Sequence, residues 1–282
     1  MGVAFPAWEP HPDVWLLVGL VVVGYWIAIA RLGPSLAPHG ERPVSARQLT
    51  WFGLGMAAMW VASDWPIHDL GERFNYSVHM VQHLTFSMVA VPLLLLGTPA
   101  WLARWILRPG AVLRTVQVLS RFLPAVVVFN VVLVFTHWPL LVSVSLDSGI
   151  VHFLVHALVV VSSLLVWMPV LSPLPEVPRL ALPLRAVFLF LQSVVPTVPA
   201  SFLTFGSAPL YRDYGAFPHL WGLSPLEDQR IAGLIMKIAA GLLLWLLIAV
   251  LFFRWAAEEE RDDVPRRAWE DLDRSLTESG AH

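Results

Sequence analysis

Seven apolar stretches, each close to the length of a bilayer crossing, leave this chain little choice of fold. A hydrocarbon core takes about 20 apolar residues as a helix, because backbone amides find no water there and must pair within their own segment. On that ruler, spans are expected at Val14–Ala30, Gln48–Ala62, Ser77–Leu96, Phe122–Phe135, Val151–Val170, Leu184–Phe205 and Leu226–Trp255. The second and fourth are short. The stretches stop at residues that end helices or resist lipid: Arg31 with Gly33-Pro34, Asp64 with Pro66, and Gly97-Thr98-Pro99. Trp101–Leu119 carries Arg104, Arg108 and Arg114 and reads as an interfacial amphipathic segment, not a span. The expected fold is therefore all-α: a polytopic membrane helical bundle of seven transmembrane helices over residues 1–255, with a charged, solvated cytoplasmic tail over 256–282.

Composition narrows the function. Charged residues make up 13% of the chain, about half the usual share in soluble domains, and the net charge is −2, so no bulk field recruits nucleic acid. There is no cysteine, which excludes disulfides and thiolate metal sites. The N-terminal MGVAFPAWEP lacks a basic n-region and a small-residue cleavage site, and Pro6 stands where a myristoylation signal needs Ser or Thr. It is expected to stay uncleaved and unmodified.

Orientation follows from basic residues in short loops. Arginines follow the first, third, fifth and seventh spans (Arg31, Arg42 and Arg47; Arg104, Arg108, Arg114 and Arg121; Arg179 and Arg185; Arg254, Arg261, Arg266 and Arg267). The loop after the second span has only Arg73, that after the fourth has none, and that after the sixth has Arg212, with Arg230 at the start of the seventh span. The N-terminus is thus expected outside and the C-terminus inside. On that topology only His39 and His282 of the ten histidines fall inside.

Two of the outer histidines, His79 and His83, open the third span four residues apart, and His152 and His156 open the fifth with the same spacing. Residues at i and i+4 share a helix face, about 5–6 Å apart at Cβ. One such pair is readily explained by hydrogen bonds to headgroups or loop carbonyls. Two matched pairs at one membrane depth favour a metal or haem site, provided that the two helices touch. Imidazole suits Cu, Zn, Fe and Ni. His137, in THWP just past the fourth span, is a further ligand, an entry ligand or a loop hydrogen-bonder; His68 and His219 are expected to be solvated in loops. Met59, Met80 and Met236 lie near the same face and together are compatible with copper, though a methionine so placed is more often packing than a ligand.

In LSPLEDQRIAGLIMK, Ser224 is expected as N-cap with Pro225 at N1, and Glu227 and Asp228 fall in the first turn, where the helix dipole favours anions. Asp228 either caps or orients a ligand histidine, as metal sites require of their outer shell. Lys237 lies deeper, with no acidic partner evident in a span. No nucleophile elbow, HExxH or phosphate loop is present, and Asp64, Asp69 and Glu72 read as solvated loop carboxylates, so no enzyme is expected.

Taken in order, HMVQH with VPLLLLGTP, THWP, HFLVH before WMPVLSP, PLYRDY, and LSPLEDQRIAGLIM resemble the membrane CtaG family, the multi-span cytochrome c oxidase assembly factors, over about residues 64–247. The resemblance implies a multi-pass protein of the bacterial plasma membrane that helps assemble a haem–copper oxidase by handling copper. Its partners would be oxidase subunits and membrane lipid, with a homo-oligomer also compatible. Carried over by motif, the metal positions are His79, His83, His137, His152, His156 and Asp228. Two departures stand out: Val91-Pro92 where a tandem proline is expected, and Lys237 where an aromatic is expected. The alternatives are a membrane haem-binding electron carrier with histidines from neighbouring helices, or a metal permease. A permease needs a polar path through the inner half, and little besides Lys237 is there to supply it.

Overall fold

The computed structural model describes residues 5–108 and 110–279, with side chains as far as Arg261. Every described element is helical; no strand occurs among the described residues. The helices are α1 (Pro12–Leu36), α2 (Ala46–Ser63), α3 (Ile67–Arg73), α4 (Tyr76–Gly97), α5 (Ala100–Ile106), α6 (Gly110–Leu119), α7 (Phe122–Thr136), α8 (Pro139–Asp147), α9 (Gly149–Leu171), α10 (Leu182–Phe205) and α11 (Pro225–Arg261), whose turns continue to Ser279. Local signals account for the starts. Pro12, Pro139 and Pro225 sit in first turns, where a missing N–H costs nothing. Ser45 with Gln48 and Ser224 with Glu227 form capping boxes, and Ser148 caps α9.

A helix occupies each of the seven places expected. By length and composition, α1, α4, α9, α10 and α11 are able to cross a membrane, and α6 with α7 makes a sixth if that pair, bent by 88°, is one span. The 18-residue α2 is long enough but less apolar. α3 and α8 are short helices in segments that read as loops. The charged residues after Arg261 continue the helix of α11, where a solvated tail is expected.

α4 is the axis of the bundle. Its apolar window is 56% buried, against 11% for α1 and α11, so the neighbours shield it from lipid on most sides. One apolar core joins it to α7, α9, α10 and α11 through Val91, Phe129, Trp167, Phe188 and Leu244. On its other flank Tyr25, Phe52, Met56 and Trp101 join α1, α2 and α5. α4 and α9 are in direct contact: the Trp167 indole donates to Ser87 O at 2.7 Å. Ser87 lies in a π-helical stretch of α4, Thr85–Ala90, a local widening of the helix of the kind found mostly as single turns. At the opposite end from the histidines, Arg104 pairs with Glu176 at 2.6 Å and holds that carboxyl below its usual range.

α2 lies against α4 through Gly97. A Cβ there would stand 2.5 Å from Phe52 N, and Gly97 O accepts from the Tyr25 hydroxyl at 2.8 Å. Small residues at such crossings let backbones approach where dispersion is the main attraction. Gly97→Ala is expected to cost about 1–3 kcal/mol by overpacking, read as a lower thermal midpoint in detergent. Gly53→Ala, with open space around it, should be neutral or slightly stabilising.

Candidate metal centre

The first two turns of α4 and α9 lie side by side and bring four imidazoles together. His79 and His83 are 4.3 Å apart between ring centroids, as are His152 and His156. Across the helix pair, His83 is 4.9 Å and His79 5.5 Å from His156, and His79 is 5.8 Å from His152. Three of the four converge more tightly: ligand nitrogens of His79, His83 and His156 all lie within 4.8 Å of one another.

The chemistry of this trio is that of an incomplete coordination shell. His79 Nδ1, His83 Nε2 and His156 Nε2 are buried and have no hydrogen-bond partner. A buried polar atom left unpaired costs about 1–3 kcal/mol. Three such atoms in one cluster are costly unless something binds them. A single cation does this once the rings turn inward, and three neutral imidazoles on adjoining helices suit Cu or Zn. The residues therefore fit a metal.

The surrounding elements hold the trio in place. α3 lies across α4 at His79, and Gly71 makes this possible, since a Cβ there would stand 3.1 Å from both N and Cα of His79. The segment between α10 and α11 closes over the same end. Tyr211 donates to His137 O at 2.9 Å and Tyr214 to Gly71 O at 3.0 Å, and both rings pack on Tyr76. These contacts give PLYRDY a physical role. Beneath the trio a narrow cavity of about 50 Å³ is bordered by His83, His137, Met80, Met88 and Met236. It has room for an ion and a few waters.

The other expected positions separate. His152 adjoins the trio, but its Nε2 lies 3.1 Å from Glu72 Oε1. His137 sits 5.9 Å from His83 between centroids and uses Nδ1–H to bond Leu133 O at 2.7 Å, which leaves Nε2 with its lone pair. Asp228 is fully buried and faces the start of α4. Its Oδ2 accepts from Tyr76 N at 2.6 Å, and its Oδ1 from Ser77 N and Asn75 Nδ2, each at 3.2 Å, and from the Ser77 hydroxyl. It thus caps α4 from a neighbouring helix, two residues before His79. Lys237 is exposed on the flank of a π-helical stretch, Ile235–Ala239.

His68, Glu72 and Asp69 are not solvated loop residues. They lie on α3, and Asp69 is 2% exposed. His219 is buried too, 3.8 Å from Asp228. The i, i+4 spacing of His68 and Glu72 was available as a signal of a helix face. Seven residues between Pro66 and Phe74 are too few for hydrophobic periodicity to reveal it.

The family model described as cytochrome c oxidase caa3 assembly factor (Caa3_CtaG) matches residues 23–258. Neither a curated protein nor a solved structure matches the chain.

Proposed function

We propose that this chain, which belongs to the cytochrome c oxidase caa3 assembly factor family, serves oxidase assembly by holding copper on His79, His83 and His156. The observation that carries the reading is the convergence, on two adjoining helices, of three imidazoles whose ligand nitrogens lie within 4.8 Å of one another and which each bear a buried, unpaired nitrogen. Copper suits the reading because the client class is a haem–copper oxidase, and because three methionine thioethers, soft ligands for Cu(I), border the same cavity. With His152 turned toward Glu72, His137, 5.9 Å from His83, supplies a fourth nitrogen as an ion is taken up or released. In this reading the protein crosses a bacterial plasma membrane seven times, α2 and α7 included, with the histidine end outside. It acts without catalysis, its partners are oxidase subunits, and copper is its cargo.

In such a site the metal would satisfy the three nitrogens jointly, and the chain's own residues set the rest. Asp228 fixes the first turn of α4, Gly71 lets α3 cover His79, and the Tyr211–Tyr214 segment restricts water. Trp167 locks α9 to α4 below the imidazoles, so the spacing between the pairs does not relax when the ion leaves.

Purified full-length protein is expected to retain copper after chelator washing and to show no Soret band. A Soret band would overturn the reading in favour of haem, and a copper-free protein that cannot be loaded would overturn it outright.

A further inference from the structure

Next to the trio stands a second convergence of ligand groups that shares no residue with it. We infer that His68, Glu72 and His152 form a separate binding site for a divalent first-row metal ion, displaced from the trio toward α3. Its role as a neighbour that passes ions to the trio rests on the copper reading above; its existence as a metal site does not.

Geometry carries the inference. Ligand atoms of the three residues lie within 4.8 Å of one another. The two oxygens of Glu72 point to different imidazoles, Oε2 3.4 Å from His68 Nε2 and Oε1 3.1 Å from His152 Nε2. Zn–N and Zn–O bonds of about 2.0–2.2 Å put neighbouring ligands of a tetrahedral ion roughly 3.3–3.5 Å apart, which is close to these separations. Neither contact is aligned as a hydrogen bond, and His152 Nε2 is buried without a partner, its side chain only 8% exposed. An ordinary His–carboxylate–His chain would satisfy that nitrogen. Here the three groups cluster with that nitrogen left unpaired.

The surroundings support an ion rather than a solvated cluster. The Gln82 side chain packs against His68, its Nε2 3.3 Å from His68 Nδ1 while it donates to Ala62 O at 2.8 Å, and so holds the ring beside Glu72. His11 packs edge-on against His68 at 5.1 Å and is itself tied to Asp69 at 2.9 Å, which closes the site on the α1 side. Two imidazoles with one carboxylate suit Zn²⁺ or Co²⁺, and are harder than the three-histidine set. The His152 and His156 rings are 4.3 Å apart, so the two sites adjoin.

The test is Zn²⁺ stoichiometry on purified full-length protein in detergent after gel filtration. Glu72→Gln and His68→Ala are each expected to bind one Zn²⁺ fewer than wild type while keeping copper on the trio, which also reports that they are folded. The His83→Ala/His156→Ala protein is expected to keep the Zn²⁺ that those variants lose. Unchanged Zn²⁺ binding in both Glu72→Gln and His68→Ala would overturn the inference. So would loss of this Zn²⁺ in the His83→Ala/His156→Ala protein, since the two clusters would then be one site. Loss of copper alone in the double variant touches only the three-histidine site, so the two readings fail separately.

Discussion

Copper bound to purified protein should fall to near zero when His83 and His156 are both replaced by alanine. Removing two of three ligands is a larger change than loss of an outer-shell partner, which already weakens a metal site about 10–100-fold. A second readout separates lost ligation from lost folding. Wild-type protein should gain about 2.7 kcal/mol of stability at copper concentrations 100 times Kd, through mass action on the folded state. The variant should gain none. Without metal the two proteins should unfold at similar midpoints, because the variant loses packing but also sheds two unpaired buried nitrogens. Copper stoichiometry equal to wild type would reject this site, and so would copper-dependent stabilisation that persists in the variant.

Asp228→Ala should destabilise the protein by at least about 3 kcal/mol, because hydrogen bonds to a charged group are worth ~1.5–3 kcal/mol each and this carboxylate accepts four. The start of α4 would keep its buried donors and lose their acceptor. Asp228→Asn should fall between, since an amide turns one oxygen into a donor aimed at donors. Glu227→Ala offers the contrast. That residue closes the exposed capping box with Ser224, and its loss should lower the thermal midpoint far less than Asp228→Ala. Thermal unfolding of the three variants in detergent checks the order. Copper retention checks the role: a cap that positions His79 loses copper together with stability. Copper lost at an unchanged midpoint would instead make Asp228 a partner of the metal.

The adjacent residues Glu227 and Asp228 mark where local reading ends. Both are acidic, both lie in the first turn of one helix, and either could serve its dipole. The backbone geometry of Ser224-Pro225 settles Glu227, which closes the box three residues on. Asp228 points the other way and caps a helix 152 positions earlier in the chain. Nothing local distinguishes the two, because the difference lies in which helix packs alongside.

What the sequence determined by itself is what depends on near neighbours and on the solvent. Runs of apolar residues place the long helices, prolines and serines place their starts, and i, i+4 spacing puts His79 with His83 and His152 with His156 on common faces. Tertiary structure decided what depends on contact between helices. It brought α4 and α9 together at Ser87 and Trp167, and so chose His156 to join His79 and His83 while His152 turned toward Glu72. It also folded His68 and Glu72 into α3 and laid that short helix on His79 through Gly71. Periodicity is a property of one helix. Which imidazoles share an ion depends on how two helices rotate against each other, and that is set by the packing of every side chain between them.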